Sequence, residues 1–193
     1  VSHSLPAAPT AAAPLDGPRY ASALIVLHWL TALTVAAAVL IVIGREVIDV
    51  PGTGRALLAA HRAVGSTVLV LLVLRLAARL VLGAPRHVGM SPAVRAASAA
   101  AHGLLYLLLA AVPLLGWAAT SAAGKPVALL GIVPLPALVG VDDGLADFLG
   151  DAHGFVAWTL VALAGLHAAA ALWHHLVQRD GVLVAMLPSR RDA

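Results

Sequence analysis

Four histidines fall within one apolar stretch, Phe148 to Gln178: His153, His167, His174 and His175. Imidazole at neutral pH is a metal ligand or a proton carrier. In a helix, His153 and His167 are separated by 14 residues, about 1400°, within about 40° of four whole turns. Both rings then leave one face, with Cα atoms about 21 Å apart along the axis. His174, seven residues later, stays near that stripe. Histidines at opposite ends of one face suit two stacked cofactors and do not suit one compact metal site. A single histidine in an apolar helix is more often a hydrogen-bonded core residue. Inside a membrane, however, an ionisable side chain is first examined as functional, and the case strengthens when other helices offer histidines at matching depths.

Composition decides what kind of helix this is. Of 193 residues, 61% are hydrophobic and 11% charged, where soluble domains carry about 25% charged residues. The mean hydropathy is +0.96. The expected class is all-α, an integral membrane four-helix bundle. There is no cysteine, which excludes disulfides, thiolate-bound iron–sulfur clusters and covalent haem attachment through C-x-x-C-H. The pI near 10.2 reflects few charges of either sign and reads as topology, with no nucleic-acid partner.

Three further spans precede the fourth. The first is expected over about Ser22 to Ile43 and carries His28 and Trp29; the second, about Ala56 to Leu82, carries His61, Gly65, Arg75 and Arg79. Arg75 and Arg79 are four residues apart and share a face. They either snorkel to lipid headgroups or meet a haem propionate or a quinone headgroup. The third span, about Val94 to Thr120, carries His102, Gly103, Tyr106, Pro113 and Gly116, and Pro113 is expected to kink it. Ser121 to Gly150 forms the longest connection. Its apolar piece, Val127 to Val139, is too short and proline-rich to span, and is expected to lie at the interface or cap a cofactor. Residues 1–18, with four prolines, lack the pattern of a secretory signal and read as a disordered Ala/Pro-rich tail. Residues 189–193 read as a cytoplasmic tail.

Eight Lys and Arg residues (Arg19, Arg75, Arg79, Arg86, Arg95, Arg179, Arg190, Arg191) fall on the side of both termini. Four (Arg45, Arg55, Arg62, Lys125) fall on the other. The positive-inside rule then places both termini in the cytoplasm. Depth follows from this orientation. His28 and His167 lie in the inner half, and His61 and His153 in the outer half. An imidazole pair from two helices is the ligand set of a low-spin haem b. Each ligand ring also needs a hydrogen-bond acceptor on its other nitrogen to fix the tautomer. Gly65, Gly154 and Gly165 lie within a turn of these histidines, where a small residue admits a flat macrocycle or a close helix neighbour. His102, at inner depth, is a further ligand, a quinone contact or a core histidine. His174 and His175 sit at the inner surface, as interfacial residues or as proton carriers for a quinone. His3 and His87 fall in tail and loop and receive no role.

Several segments together resemble the bacterial cytochrome b561 family, which is related to the b-type subunits of formate dehydrogenases and nickel–iron hydrogenases. They are Leu27-His28-Trp29-Leu30, His61-Arg62-Ala63-Val64-Gly65, Arg75 with Arg79, and His102 with Tyr106. The fourth span adds Gly165 through His175, followed by Arg179-Asp180-Gly181 and Met186-Leu187-Pro188. The resemblance covers about Arg19 to Pro188. It implies a bacterial inner-membrane bundle over residues 19–188 holding two haems b, with His28, His61, His153 and His167 as iron ligands. It also implies electron exchange with the quinone pool. Family members include superoxide oxidases, which pass electrons from superoxide to ubiquinone; Arg75, Arg79 and His174 match positions near the quinone site there. One departure is Gly154, where relatives often carry an acid after the outer ligand. A different function is a haem-bearing anchor subunit with a redox partner subunit. A metal transporter or zinc peptidase is disfavoured, because the spans hold almost no carboxylates and no H-E-x-x-H motif.

Overall fold

The computed structural model describes residues 19–83 and 91–188. Both tails, Arg86, His3 and His87 lie outside the described residues. Four long helices follow in order: α1 Ser22–Val47, α2 Thr53–Leu82, α3 Pro92–Ala122 and α4 Asp143–Trp173. At about 1.5 Å per residue each is at least about 39 Å long, more than the ~30 Å hydrocarbon core of a bilayer. All four are apolar enough to cross a membrane. The chain is a membrane four-helix bundle. α1 packs chiefly on α2 and α3 on α4, and a lighter α2–α3 contact joins these two hairpins.

Its burial pattern is that of a lipid-facing protein. Leu80, Val81 and Phe155 are 77–85% exposed, while Thr31, Ser66, Thr120 and Ser121 are buried. Lipid tails solvate the outer apolar side chains, and polar groups turn inward to find partners. The hydroxyls of Thr31, Thr120 and Ser121 bond back to carbonyls one turn earlier in their own helices. At mid-height Val68, Leu72, Leu108, Leu109 and Leu160 form a closed apolar layer. Leu160 lies seven residues from both His153 and His167, on the same stripe of α4. The layer therefore separates the two histidine levels.

The helix ends differ from expectation in ways that matter. α4 starts at Asp143, inside the stretch expected to be a connection as far as Gly150, because Asp142 caps it: its side chain accepts the N–H of Leu145 at 2.8 Å. That cap offsets the loss of an unpaired helix N–H and adds a turn ahead of His153. α3 runs unbroken as a helix through Pro113. The apolar piece between α3 and α4 is a small antiparallel hairpin, β1 Val127–Leu129 with β2 Val133–Leu135. Its tip docks onto α2. The N–H of Leu130 donates to Ser66 Oγ at 2.9 Å, and a Cβ on Gly131 would lie 3.2 Å from Ala63 Cβ. Leu130 is held at φ +56° by this anchoring, a conformation that costs a non-glycine residue about 1 kcal/mol or more.

At the other end the chain does not simply trail off. α4 passes into one π-helical turn, His174–Gln178, and Arg179 reverses the chain in the left-handed region at φ +53°. Residues 181–188 then fold back onto the start of α1. Arg19 donates to the carbonyls of Val184 and Leu187, Trp29 Nε1 donates to Met186 O at 2.8 Å, and the Tyr20 N–H donates to Ala185 O. Ala185 is 4% exposed. Trp29, which could have belonged to an interfacial aromatic belt, is thus a clasp for the C-terminal strap.

Candidate functional site

One level, called outer after the orientation expected from the Lys and Arg division, is built from both hairpins. His61 projects from α2 and His153 from α4, with ring centres 6.1 Å apart. Each ring is oriented by the neighbouring helix of its own hairpin. His61 Nδ1 lies 2.9 Å from Ala38 O on α1, and His153 Nδ1 lies 2.8 Å from Val112 O on α3. A carbonyl only accepts, so both rings carry the proton on Nδ1 and leave the Nε2 lone pair free. That is the tautomer a metal-binding histidine needs. A metal held between two imidazoles requires ring centres about 6 Å apart, from two bonds of ~2 Å plus the reach from nitrogen to ring centre. The observed spacing fits this requirement.

These rings open into a cavity of about 490 Å³ lined by His61, His153, Gly65, Gly154, Val68 and Leu160 among others. The volume is within the usual range of about 300–1,000 Å³ for cofactor pockets. A Cβ on Gly65 or Gly154 would meet nothing within 4 Å, so these glycines leave room along the helix flanks and do not serve close helix packing. Arg45 and Arg62 stand on the lining, and Val127 and Leu135 of the hairpin close one side. The hairpin therefore covers the outer cavity. Gly116 of α3 is a site residue that the sequence did not expose: a Cβ there would sit 3.1 Å from His153 Cε1 and Nδ1. Only its hydrogen atom allows the ring to lie against α3.

The inner level has three rings. His28 of α1 and His167 of α4 are 6.3 Å apart, and His102 of α3 approaches His167 to 5.1 Å. His102 Nδ1 donates to Ser98 O at 2.6 Å, leaving its Nε2 free as in the outer pair. His28 differs. Its Nδ1 accepts from Arg75 Nη2 at 2.9 Å, because a guanidinium only donates. The expected acceptor beside His28 is replaced by a donor, which places the His28 proton on Nε2 in this arrangement. Arg75 also lies 5.4 Å over the Tyr106 ring, a cation–π contact. Neither neighbour is an anion, so a half-buried cation stands here without a carboxylate among its described contacts. Arg79 is exposed and lies 6.0 Å over Tyr20, near the strap.

His174 pairs with Asp180, Nδ1 to Oδ2 at 2.6 Å, and its described contacts do not include Arg75 or Arg79. The resemblance puts Arg75, Arg79 and His174 near one site, but no described contact joins His174 to either arginine. His175 Nδ1 is enclosed and has no hydrogen-bond partner among the described residues. No group of three or more metal-binding side chains occurs among the described residues. The outer histidines form one pair, and at the inner level His167 has two imidazole neighbours, His28 at 6.3 Å and His102 at 5.1 Å. In the sequence Asp180 stood only as part of Arg179-Asp180-Gly181; its contact with His174 depends on the left-handed turn at Arg179.

Comparison with known proteins agrees with this architecture. The family model described as prokaryotic cytochrome b561 matches residues 19–189. The chain is 35% identical over 128 residues to cytochrome b561 homolog 2 of Escherichia coli (strain K12), covering 66% of this chain and 68% of that one. It is 30% identical over 179 residues to a Yersinia pestis protein named probable superoxide oxidase CybB, covering 90% and 98% respectively. Cytochrome b562 of Cereibacter sphaeroides is 33% identical over 146 residues, covering 76% and 75%. With four spans, facing imidazoles and a match running from the start of α1 to the end of the strap, the chain belongs to the prokaryotic cytochrome b561 family of membrane electron-transfer proteins.

Proposed function

We propose that the bundle holds two haems b, an outer one between His61 and His153 and an inner one between His28 and His167, and passes electrons to a quinone at the cytoplasmic surface. The observation that carries this reading is the repeat of one ring spacing. Two imidazole pairs, 6.1 and 6.3 Å apart, face each other across different helices at two heights of the same α4 stripe. When bound, each haem supplies a one-electron carrier. The chain's own residues do the rest. His61 and His153 are pre-set by backbone carbonyls. His28 would hold the inner haem through Nε2 once Arg75 left Nδ1 and the ring proton moved there, and Arg75 would be the cation for a propionate. The Leu160 layer keeps water out of the space between the two levels. The hairpin shields the outer cavity, with Arg45 and Arg62 as the positive groups on its lining.

The electron donor we favour is superoxide. The similarity to a protein named probable superoxide oxidase, over 90% of this chain, supports this. Two superoxide anions give two molecules of oxygen and two electrons; ubiquinone takes two electrons and two protons to become ubiquinol. On this reading His174, at the inner end of α4, contacts the quinone. His174→Ala should lower quinone reduction by prereduced protein at least tenfold while haem content stays at wild type. Retention of the wild-type rate would remove His174 from the quinone site.

The orientation belongs to the same proposal. The eight-to-four division of Lys and Arg puts both termini in the cytoplasm. An enzyme reporter active only in the periplasm, fused after Ala193, should be silent, and the same reporter inserted in the α1–α2 loop at Asp49 should be active. The reverse pattern would exchange the inner and outer levels.

A further inference from the structure

We infer that Asp180 is a positioning residue for quinone reduction: its carboxylate fixes His174 so that Nε2 is the nitrogen that exchanges a proton with the quinone. The inference rests on the assignment of His174 to the quinone site and names the partner that makes this ring a directed proton donor.

The local fold is built around the contact. Six residues on in a continuous α-helix, a side chain lies about 240° round the axis, on the far side from its starting point. Asp180 instead returns to His174. The π turn His174–Gln178 widens the helix end, and Arg179 at φ +53° reverses the chain. The N–H of Asp180 then donates to His174 O at 3.2 Å. Single π turns are rare and occur frequently at functional sites. The reversal is held from the other side, since Arg19, Tyr20 and Trp29 grip the carbonyls of residues 184–187. Asp180 is therefore anchored at both ends of its short loop.

Both carboxylate oxygens are committed. Oδ2 accepts from His174 Nδ1 at 2.6 Å, and Oδ1 accepts from the N–H of Val182 at 3.1 Å. His174 is 21% exposed and Asp180 36%, so the pair is reachable from the aqueous side yet partly sheltered. A carboxylate on Nδ1–H holds that proton in place and leaves Nε2 as the nitrogen that exchanges one, the arrangement used by histidines that act as directed acids and bases. As the quinone takes up electrons from the bundle, the Nε2–H bond breaks and an O–H bond forms on the quinone oxygen. The ring is left as the Nδ1–H tautomer, and Nε2 takes its next proton from water.

Asp180→Asn separates this role from a purely structural one. The amide has one oxygen where the carboxylate has two. Keeping the Val182 N–H bond turns the NH2 toward His174 Nδ1, which must then accept, and the neutral ring carries its proton on Nε2. The strap contacts are untouched. Expected results are a quinone-reduction rate lowered at least tenfold, unchanged haem content and haem spectra, and recovery of part of the rate in Asp180→Glu. In histidine-15N-labelled protein the neutral His174 ring should be protonated on Nδ1 in the wild type and on Nε2 in Asp180→Asn. A wild-type ring protonated on Nε2 overturns the inference. So does a wild-type rate in Asp180→Asn when His174→Ala is slow. A wild-type rate in His174→Ala itself overturns the quinone assignment, and this inference with it.

Discussion

His153→Ala should purify with one haem b per chain and the wild type with two. His61→Ala should match it, and the double variant should hold no less than either alone. The outer cavity explains the size of the effect. Among the described residues its lining contains no third histidine and no methionine, so removing one imidazole would leave a coordination position that none of them can fill. One remaining ligand in a cavity of this size is a weak hold. Residues acting as a unit are non-additive, which is why the double variant adds little. Haem quantified as its pyridine adduct, against protein by amino-acid analysis, checks this. Two haems retained in His153→Ala would remove His153 from the ligand set. A haem content lower in the double variant than in each single one would mean that the two rings serve different haems.

Gly116→Leu should reproduce the His153→Ala phenotype without touching a ligand. A Cβ at position 116 would lie 3.1 Å from two atoms of the His153 ring, and the rest of a leucine side chain would need the space the ring occupies. The ring must then swing off Val112 O and lose the bond that fixes its tautomer. The helix itself is not the weak point, because replacing a mid-helix glycine removes a conformational cost of about 0.5–1 kcal/mol. Gly103, on the same helix, is the control: a Cβ there meets nothing within 4 Å. Gly103→Ala should keep two haems. Two haems with wild-type spectra in Gly116→Leu would show that the ring adapts, and the packing account of the outer site would fail.

How much of this was legible beforehand depends on the range of each interaction. The spacing of His153 and His167 is a property of one helix, so simple rotation arithmetic reads it. The matching of His28 with His167 and of His61 with His153 needs only span order and depth, and the structure brings those rings within 6.3 Å. The spans were legible for the same reason, from apolar runs of sufficient length. What stayed hidden are contacts across elements. Gly116 carried no mark except being a glycine after Pro113; its meaning lies in a ring from α4. The donor beside His28 came from Arg75 of α2, which sequence alone assigned first to lipid headgroups and second to a haem propionate or a quinone. The start of α4 was placed too late because Asp142 is one of three nearby acids, and only its backbone conformation makes it the cap. The strap and the π turn could not be read from propensity, since Arg19 and Trp29, more than 150 residues away, hold them in place.

The reading as a whole stands on two six-coordinate haems stacked in one bundle. The most direct measurement is low-temperature electron paramagnetic resonance of the oxidised purified protein, with haem counted on the same sample. Two haems b per chain, giving two low-spin ferric signals and no substantial high-spin signal, are the predicted result. His167→Ala should remove one low-spin signal and His61→Ala the other. A single haem per chain, a persistent high-spin signal, or loss of the same signal in both variants would contradict the two-by-two pairing.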